Sequence, residues 1–308
     1  MKSPLVYIII LNYNGAGLTL ECVESFKRIN YKNYKIVVID NNSSDDSYKI
    51  LLEKLNNYEN CVFIKLEDNL GYAGGNNIGI DMAIKAKAEY ILIANNDIIV
   101  AENFLNLLVN SLNEEKNLAA VTPKVFYYNT NIINSFGSYK NAFGKIKNIG
   151  IGMLDSERFE SDLYVKFLMG CCILFRANIL SEIGGFDERY FMYLEESDLF
   201  ERINKEYKLK VISKSKVWHK EFGSSKSSNG KINYFSTYYL RRNSLLYIDK
   251  HYGIKGIISK IMYFSIDSLK ILLNIKDKKL RNVIKLAWSD YFRSHFFRSE
   301  IIQQMLKS

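Results

Sequence analysis

The chain has 308 residues, 48% hydrophobic and 24% charged, with 22 Tyr, 18 Phe and only 2 Pro; this excludes a disulfide-stapled mini-protein and a disordered tail, and the length suits two linked lobes. The net charge of +9 sits mostly at one end, because residues 254–308 hold 11 Lys/Arg against 4 Asp/Glu, which argues against nucleic acid bound along the chain. Cys22 and Cys61 are isolated and Cys171 adjoins Cys172; with no CxxC pair and no zinc spacing, a reduced, cytosolic compartment is expected.

The apolar run Leu5 to Leu11 lacks a small-residue cleavage site and meets Asn12-Tyr13-Asn14-Gly15, so it reads as a buried strand rather than a leader. Strands are predicted at Val6 to Leu11, Ile36 to Asp40, Val62 to Lys65 and Tyr90 to Ala94, where β-branched runs are short and bounded by polar loops. Between them, Leu18 to Ile29, Ser47 to Leu55 and Gly75 to Ala86 carry helical periodicity. Such alternation implies βαβ units and a mainly parallel sheet, whose ligands bind beyond the carboxyl ends of the strands. The residues there are Asn12 to Gly15, Asp40 to Ser44, Glu67 to Asn77 and Asn95 to Asp97.

From Thr122 to Ser228 the pattern is less regular. A strand is expected at Cys171 to Phe175, helices near Ala177 to Glu182 and over Glu195 to Asn204, then short strands at Lys210 to Ile212 and Val217 to His219. Gly223 to Gly230, rich in Ser, is the linker candidate. Ile232 to His251 and most of the tail read as helices. The apolar stretch Ile254 to Ile275 carries Lys255, Lys260, Asp267 and Lys270, whereas a spanning helix needs about 20 mostly apolar residues, so no transmembrane segment is expected. Ile254, Ile257, Ile258, Ile261, Phe264 and Leu272 recur at helical spacing beside those lysines, with Lys276, Lys278, Lys279, Arg281 and Lys285 following. That face suits an anionic membrane surface, the catalytic domain or a second subunit.

Several polar groups at these loops have chemical potential. Asp40 closes a strand too early to cap the next helix. Asn69 to Gly79 matches neither GxGxxG nor a Walker loop; its glycines serve either a tight turn or a backbone that approaches an anion closely. Asp97 directly follows an apolar strand, and a carboxylate at such an edge suits Mg²⁺ or Mn²⁺ bridging a diphosphate. Glu195, Glu196 and Asp198 sit among aromatic residues, where a carboxylate can gain basicity.

In this order the motifs resemble the family-2 inverting glycosyltransferases of GT-A fold, especially the bacterial rhamnosyltransferase-like members. The resemblance spans about Leu5 to Tyr252 and is carried by Asn12-Tyr13-Asn14, Val37 to Ser43, Asn69 to Gly79, Asn95-Asn96-Asp97, Gly170, Gly184-Gly185-Phe186-Asp187, Glu195 to Leu199, and His219 with Ser224 or Ser225. It implies an α/β fold, a Rossmann-like, mainly parallel sheet flanked by helices with a C-terminal helical extension. Residues 1–122 would form the nucleotide-sugar-binding half, 123–228 the acceptor-binding, catalytic half of the same domain, and 229–308 the extension.

The resemblance makes Asp40 the partner of the nucleotide base and Asn12 to Asn14 neighbours of base and ribose. Asn42, Asn69, Gly74, Asn77 and Asn96 complete the nucleotide contacts, Asp97 and His219 bind the metal, and Glu196 is the base. Asn95 stands where many relatives carry Asp, and Glu196 where Asp is common, which keeps Glu195 and Asp198 in contention. The implied reaction takes a sugar from a nucleotide-sugar donor, dTDP-rhamnose or a UDP-sugar, to a glycan or lipid-linked glycan acceptor of the bacterial surface. It would occur in the cytoplasm, peripherally at the inner face of the plasma membrane. Two rivals are a nucleotidyltransferase, which wants a basic loop after the first strand where no Lys or Arg precedes Lys27, and a non-enzymatic membrane-surface protein, which leaves Asp97, Glu195, Glu196 and His219 without a role.

Overall fold

The computed structural model describes residues 3–56, 58–141, 146–221, 232–273 and 277–307. It divides into two compact units: one holds residues 1–69, 74–186 and 199–221, the other residues 70–73, 187–198 and 222–308.

The first unit opens with β1 (Val6–Asn12), α1 (Ala16–Lys27), β2 (Tyr34–Asp40), α2 (Ser47–Leu55), β3 (Cys61–Lys65), α3 (Gly71–Lys85) and β4 (Tyr90–Asn95). These are the expected strands and helices, with ends shifted by a few residues. Next come β5 (Ile98–Val100), α4 (Phe104–Glu114), β6 (Leu118–Tyr127), β7 (Ile133–Ser135), β8 (Ser138–Lys140), β9 (Ile146–Asn148), β10 (Leu163–Val165), β11 (Cys172–Arg176), α5 (Ala177–Ile183), α6 (Glu195–Ile203), whose residues up to Asp198 belong to the second unit, and β12 (Lys208–His219).

One sheet runs β10-β12-β6-β11-β4-β1-β2-β3, with β5 on β12 and β7 on β6, while β8 and β9 form a separate pair. Within it β3, β2, β1 and β4 are parallel neighbours, and β11 enters antiparallel between β4 and β6. Chain order therefore reverses across β1, and the crevice beyond Asn12, Asp40 and Asn95 is where such sheets place ligands. The expected fold class is what the chain adopts.

The apolar runs become parallel strands because both of their faces are covered. Val6, Ile8 and Ile10 pack with Cys22, Val23 and Phe26 of α1 and with Phe104 and Leu108 of α4, all buried. On the opposite face α3 presses so closely that a Cβ on Gly75 would meet Leu11 at 2.5 Å and one on Gly79 would meet Ile9 at 2.6 Å. The helix begins at Gly71, four residues before its expected start, so Gly71 and Gly74 join Gly75 and Gly79 within it, and the last two serve helix-to-sheet contact. The stretches expected as Lys210 to Ile212 and Val217 to His219 are one strand, β12, whose register along β6 shifts between Ile212 and Lys216.

The second unit is helical: α7 (Tyr234–Tyr252), α8 (Gly256–Leu273), α9 (Lys278–Phe292) and α10 (Glu300–Lys307), as the tail periodicity predicts. Its core joins Phe191, Tyr238 and Tyr239 to Val283, Ala287 and Ile302. Among the described residues no helix is long and apolar enough to cross a membrane. The linker candidate Gly223 to Gly230, with Ser224 and Ser225, and Lys276 in the tail lie outside the described residues.

Candidate active site

In the first unit the strand ends are bound together by side chains. Asn12, wholly buried, donates from Nδ2 to Asp40 Oδ1 at 2.7 Å and to Ser43 Oγ at 3.1 Å, because β1 and β2 run parallel with Asn12 opposite Asp40. Asp40 also accepts from the amide and the hydroxyl of Ser43. Its carboxylate is enclosed and organises the turn after β2. Asn14 (φ 53°) reaches across, donating to Ser44 Oγ and accepting from the Ser44 amide. Tyr13 between them is exposed.

Thr19, one turn into α1, stands 2.7 Å from Asn12 Oδ1 and accepts from Asn96 Nδ2 at 3.0 Å, linking the ends of β1 and β4. No motif pointed to Thr19; the only signal is its place one turn inside the helix that follows Asn12. Asn41 donates to Asn69, and Asn42 (φ 58°) donates to the Glu67 carbonyl, closing the end of β3 onto that of β2. Asn77 exchanges two hydrogen bonds with the backbone of Phe186, and Gly74 lies within α3. Thus Asn12, Asn14, Asp40, Asn42, Asn69 and Asn96 form one linked edge, whereas Asn77 binds the turn after α5.

Asp97 and His219, remote in sequence, come together because β5 pairs antiparallel with β12, placing His219 opposite Ile98. They are 6% and 9% exposed, and His219 Nε2 lies 3.1 Å from Asp97 Oδ1. That contact is not in hydrogen-bond geometry, and among the described residues Asp97 Oδ1 and His219 Nδ1 have no other polar partner. Buried polar atoms are rarely left unpaired without reason. One carboxylate and one imidazole with unused lone pairs fit a divalent cation that takes its other ligands from phosphate and water. Among the described residues no third His, Cys, Asp or Glu joins them.

In the second unit the acidic residues of α6 begin directly after a contorted turn. Phe191 (φ 61°), Tyr193 (φ 71°) and Leu194 (φ 71°) take backbone angles that bulky residues avoid, at a cost of about 1–3 kcal/mol each. Gly71 is required beside it, since a Cβ there would meet the Phe191 carbonyl at 2.3 Å. That carbonyl accepts from the amides of Tyr72 and Ala73, so these first-turn amides are used internally rather than left for an anion.

The three acids differ in surroundings. Asp198 is fully buried and held by Lys250 at 2.8 Å and by His251 Nε2 at 2.8 Å. Lys250 also binds Asp187, whose burial is outweighed by hydrogen bonds from Arg189 and Lys250 that hold its carboxyl well below the usual range. Glu195 is 5% exposed and its Oε2 has no hydrogen-bond partner among the described residues. Burial, then the neighbouring Glu196, pushes its carboxyl far up. Glu196, turned about 100° away on the helix, is more open; burial raises it too, against a hydrogen bond from Tyr72. Such a pair titrates together. Chemically, Asp198 is engaged by two cationic partners, whereas Glu195 and Glu196 are carboxyls of raised basicity suited to accepting a proton.

A family model described as glycosyl transferase family 2 matches residues 7–184, more than half of the chain. The chain belongs to that family. This family-2 glycosyltransferase is 32% identical over 127 residues to glycosyltransferase GlyG of Streptococcus pneumoniae serotype 4, covering 41% of this chain and 40% of the relative. It is 26% identical over 241 residues to the N-acetylglucosaminyl-diphospho-decaprenol L-rhamnosyltransferase of Mycobacterium tuberculosis, covering 71% of this chain and 76% of the relative. Two solved structures at 16% identity share the glycosyltransferase's fold, which is GT-A. One is GalNAc-T7 with UDP, GalNAc and Mn2+, at a TM-score of 0.60 over 79% of this chain and 51% of that one. The other is S. aureus TarS 1-349 in complex with UDP-GlcNAc, at a TM-score of 0.57 over 93% and 80%.

Proposed function

We propose that this glycosyltransferase moves a sugar, with inversion, from a nucleoside-diphosphate donor to a hydroxyl of a bacterial surface glycan. The donor is dTDP-rhamnose or a UDP-sugar, and the acceptor is lipid-linked. The observation that carries the reading is the buried Asp97–His219 pair with unpartnered atoms just past the carboxyl edge of the sheet. The donor and acceptor classes are supported by the rhamnosyltransferase relative, whose name specifies a decaprenol-linked substrate.

In this reading Asp97 and His219 hold Mg²⁺ or Mn²⁺, which supplies positive charge against the departing diphosphate. The linked edge of Asn12, Tyr13, Asn14, Asp40, Asn42, Asn69 and Asn96 receives base and ribose, and Gly74 and Asn77 border the diphosphate. Glu196 takes the acceptor's proton as its oxygen attacks the anomeric carbon, one displacement giving inversion. Asp198 is a poor candidate for that step because Lys250 and His251 occupy it; Glu195 sits enclosed beside Glu196, whose charge pushes the Glu195 carboxyl up.

The enzyme works at the inner membrane face, and α8 is the attachment surface. Ile257, Ile258, Ile261, Phe264, Leu269 and Leu272 of that helix are 51–70% exposed, with Lys255 and Lys270 beside them. An apolar arc edged by lysine suits anionic lipid. A thermal-shift screen of dTDP, UDP, GDP and ADP with and without Mn²⁺ tests the donor reading, since a ligand at 100 times its Kd adds about 2.7 kcal/mol. Stabilisation by dTDP or UDP that grows with Mn²⁺ is expected; a response to none of them, or one indifferent to metal, refutes it.

A further inference from the structure

The turn that carries the two glutamates is gripped on both flanks by a single helix. Arg242 and Asn243, adjacent on α7 and wholly buried, spread their donors over the backbone before the acids. Arg242 donates to the carbonyls of Arg189 and Tyr190 at 3.1 Å each, and to that of Phe297 at 2.8 Å. Asn243 Nδ2 lies 2.8–2.9 Å from the carbonyls of Tyr190, Met192 and Tyr193, while its Oδ1 accepts from the Arg242 guanidinium. Two turns further along, Lys250 and His251 hold Asp198 on the other side of Glu195-Glu196. The Phe191–Leu194 backbone would relax from its unfavourable angles if these donors were removed. The guanidinium is also covered by the Tyr238 and Tyr239 rings, at 5.5 and 4.9 Å from the ring centres, which fixes it in the interior beneath the turn.

We propose that Arg242 and Asn243, assisted by Lys250 and His251, are positioning residues that hold Glu196 in its half-enclosed place at the start of α6. The pair touches no reacting atom; it acts through the carbonyls of residues 189–193. This inference rests on the assignment of Glu196 as base. Among the described residues the groups facing Glu196 are Glu195 on its own helix and the Tyr72 hydroxyl from α3; the ions on the preceding turn, on α6 and on α7, Asp187, Arg189, Asp198, Lys250 and His251, are paired among themselves.

The test is steady-state turnover of the full-length enzyme carrying Arg242→Lys, Asn243→Asp or Lys250→Gln, read as nucleoside diphosphate release across pH 5–9. Lys250 is partly exposed, so its variant remains informative where the buried variants do not fold. Expected is a 10- to 100-fold fall in kcat with donor KM within twofold of wild type. The acid limb of the pH profile should shift at least one unit downward, as Glu196 gains water and loses basicity. Unchanged kcat and pH profile in folded variants would overturn the proposal, as would a loss of activity that leaves the acid limb in place. Glu196→Gln distinguishes the two layers: if it stays active the base assignment fails, whereas if it is inactive and the α7 variants behave as wild type only the positioning role fails.

Discussion

Glu196→Gln keeps the side chain's size and its hydrogen bond with Tyr72 but cannot accept a proton. Loss of a general base costs roughly 10²–10⁴ in turnover, or about 2.7–5.4 kcal/mol of barrier. Donor binding should be unchanged, because the nucleotide contacts are assigned to other residues. Glu195→Gln makes the complementary measurement. In the native protein Glu195's carboxyl is raised by burial and by Glu196, whereas Glu196's own rise comes from burial, so a neutral glutamine at 195 leaves Glu196's basicity in place. Turnover should persist with its acid limb unmoved.

A stability effect follows with a definite sign. A carboxyl raised on folding stabilises the folded state fully below its unfolded value, and that contribution is lost as pH rises through the folded value. Glu195→Gln keeps the neutral shape at every pH, so its melting temperature relative to wild type should be unchanged near pH 4 and higher at pH 8–9. Nucleoside diphosphate release and thermal melts over pH 4–9 provide both readings. Full activity of Glu196→Gln, or a Glu195→Gln variant whose advantage over wild type is no larger at pH 9 than at pH 4, would refute the reasoning.

Asp97→Ala should abolish Mn²⁺-dependent stabilisation by nucleoside diphosphate, and His219→Ala should weaken it less, since water or phosphate oxygen can take a vacated position; unaltered metal titration in Asp97→Ala removes the metal assignment. Asn12→Ala takes the amide from Asp40 and Ser43 and should cost about 1–3 kcal/mol in urea unfolding, a figure near zero being inconsistent with a structural role for that edge. Flotation with vesicles containing anionic lipid should carry the protein upward at low salt but not at high salt, and Ile258→Glu with Phe264→Glu should abolish it; migration as a dimer with no flotation would assign the α8 face to a second copy instead.

Much of the fold was legible because the parallel half of the sheet is written in uninterrupted apolar runs and its helices in clean periodicity, α2 to the residue. The strand β6 was not, because Thr122, Pro123 and Lys124 break its pattern; Lys124 is tolerated in the interior through Asp155 and the Phe159 carbonyl. The pieces of β12 were seen, but the polar stretch Ser213 to Lys216 concealed their continuity. At the site, Asp97 and His219 were recognisable by residue type, yet their meeting depends on β5, three residues long and too short to register as a pattern. The buried roles of Arg242 and Asn243 were invisible, since an Arg-Asn step on a helix looks like surface until its acceptors are known.

The pairing of β5 with β12 also sets an order of assembly. The strands β1 to β4 meet through short crossovers, whereas β12 pairs with β5 and β6, which lie far earlier in the chain, and such non-local contacts form late. During synthesis the parallel half can collapse as soon as it emerges, well before His219 has been made. The edge proposed for the nucleotide is then present in a nascent chain without the imidazole beside Asp97. Completion of that pair reports the closing of the sheet, so acquisition of metal-dependent nucleotide binding during refolding would be a late signal, lagging the secondary structure of the first four strands.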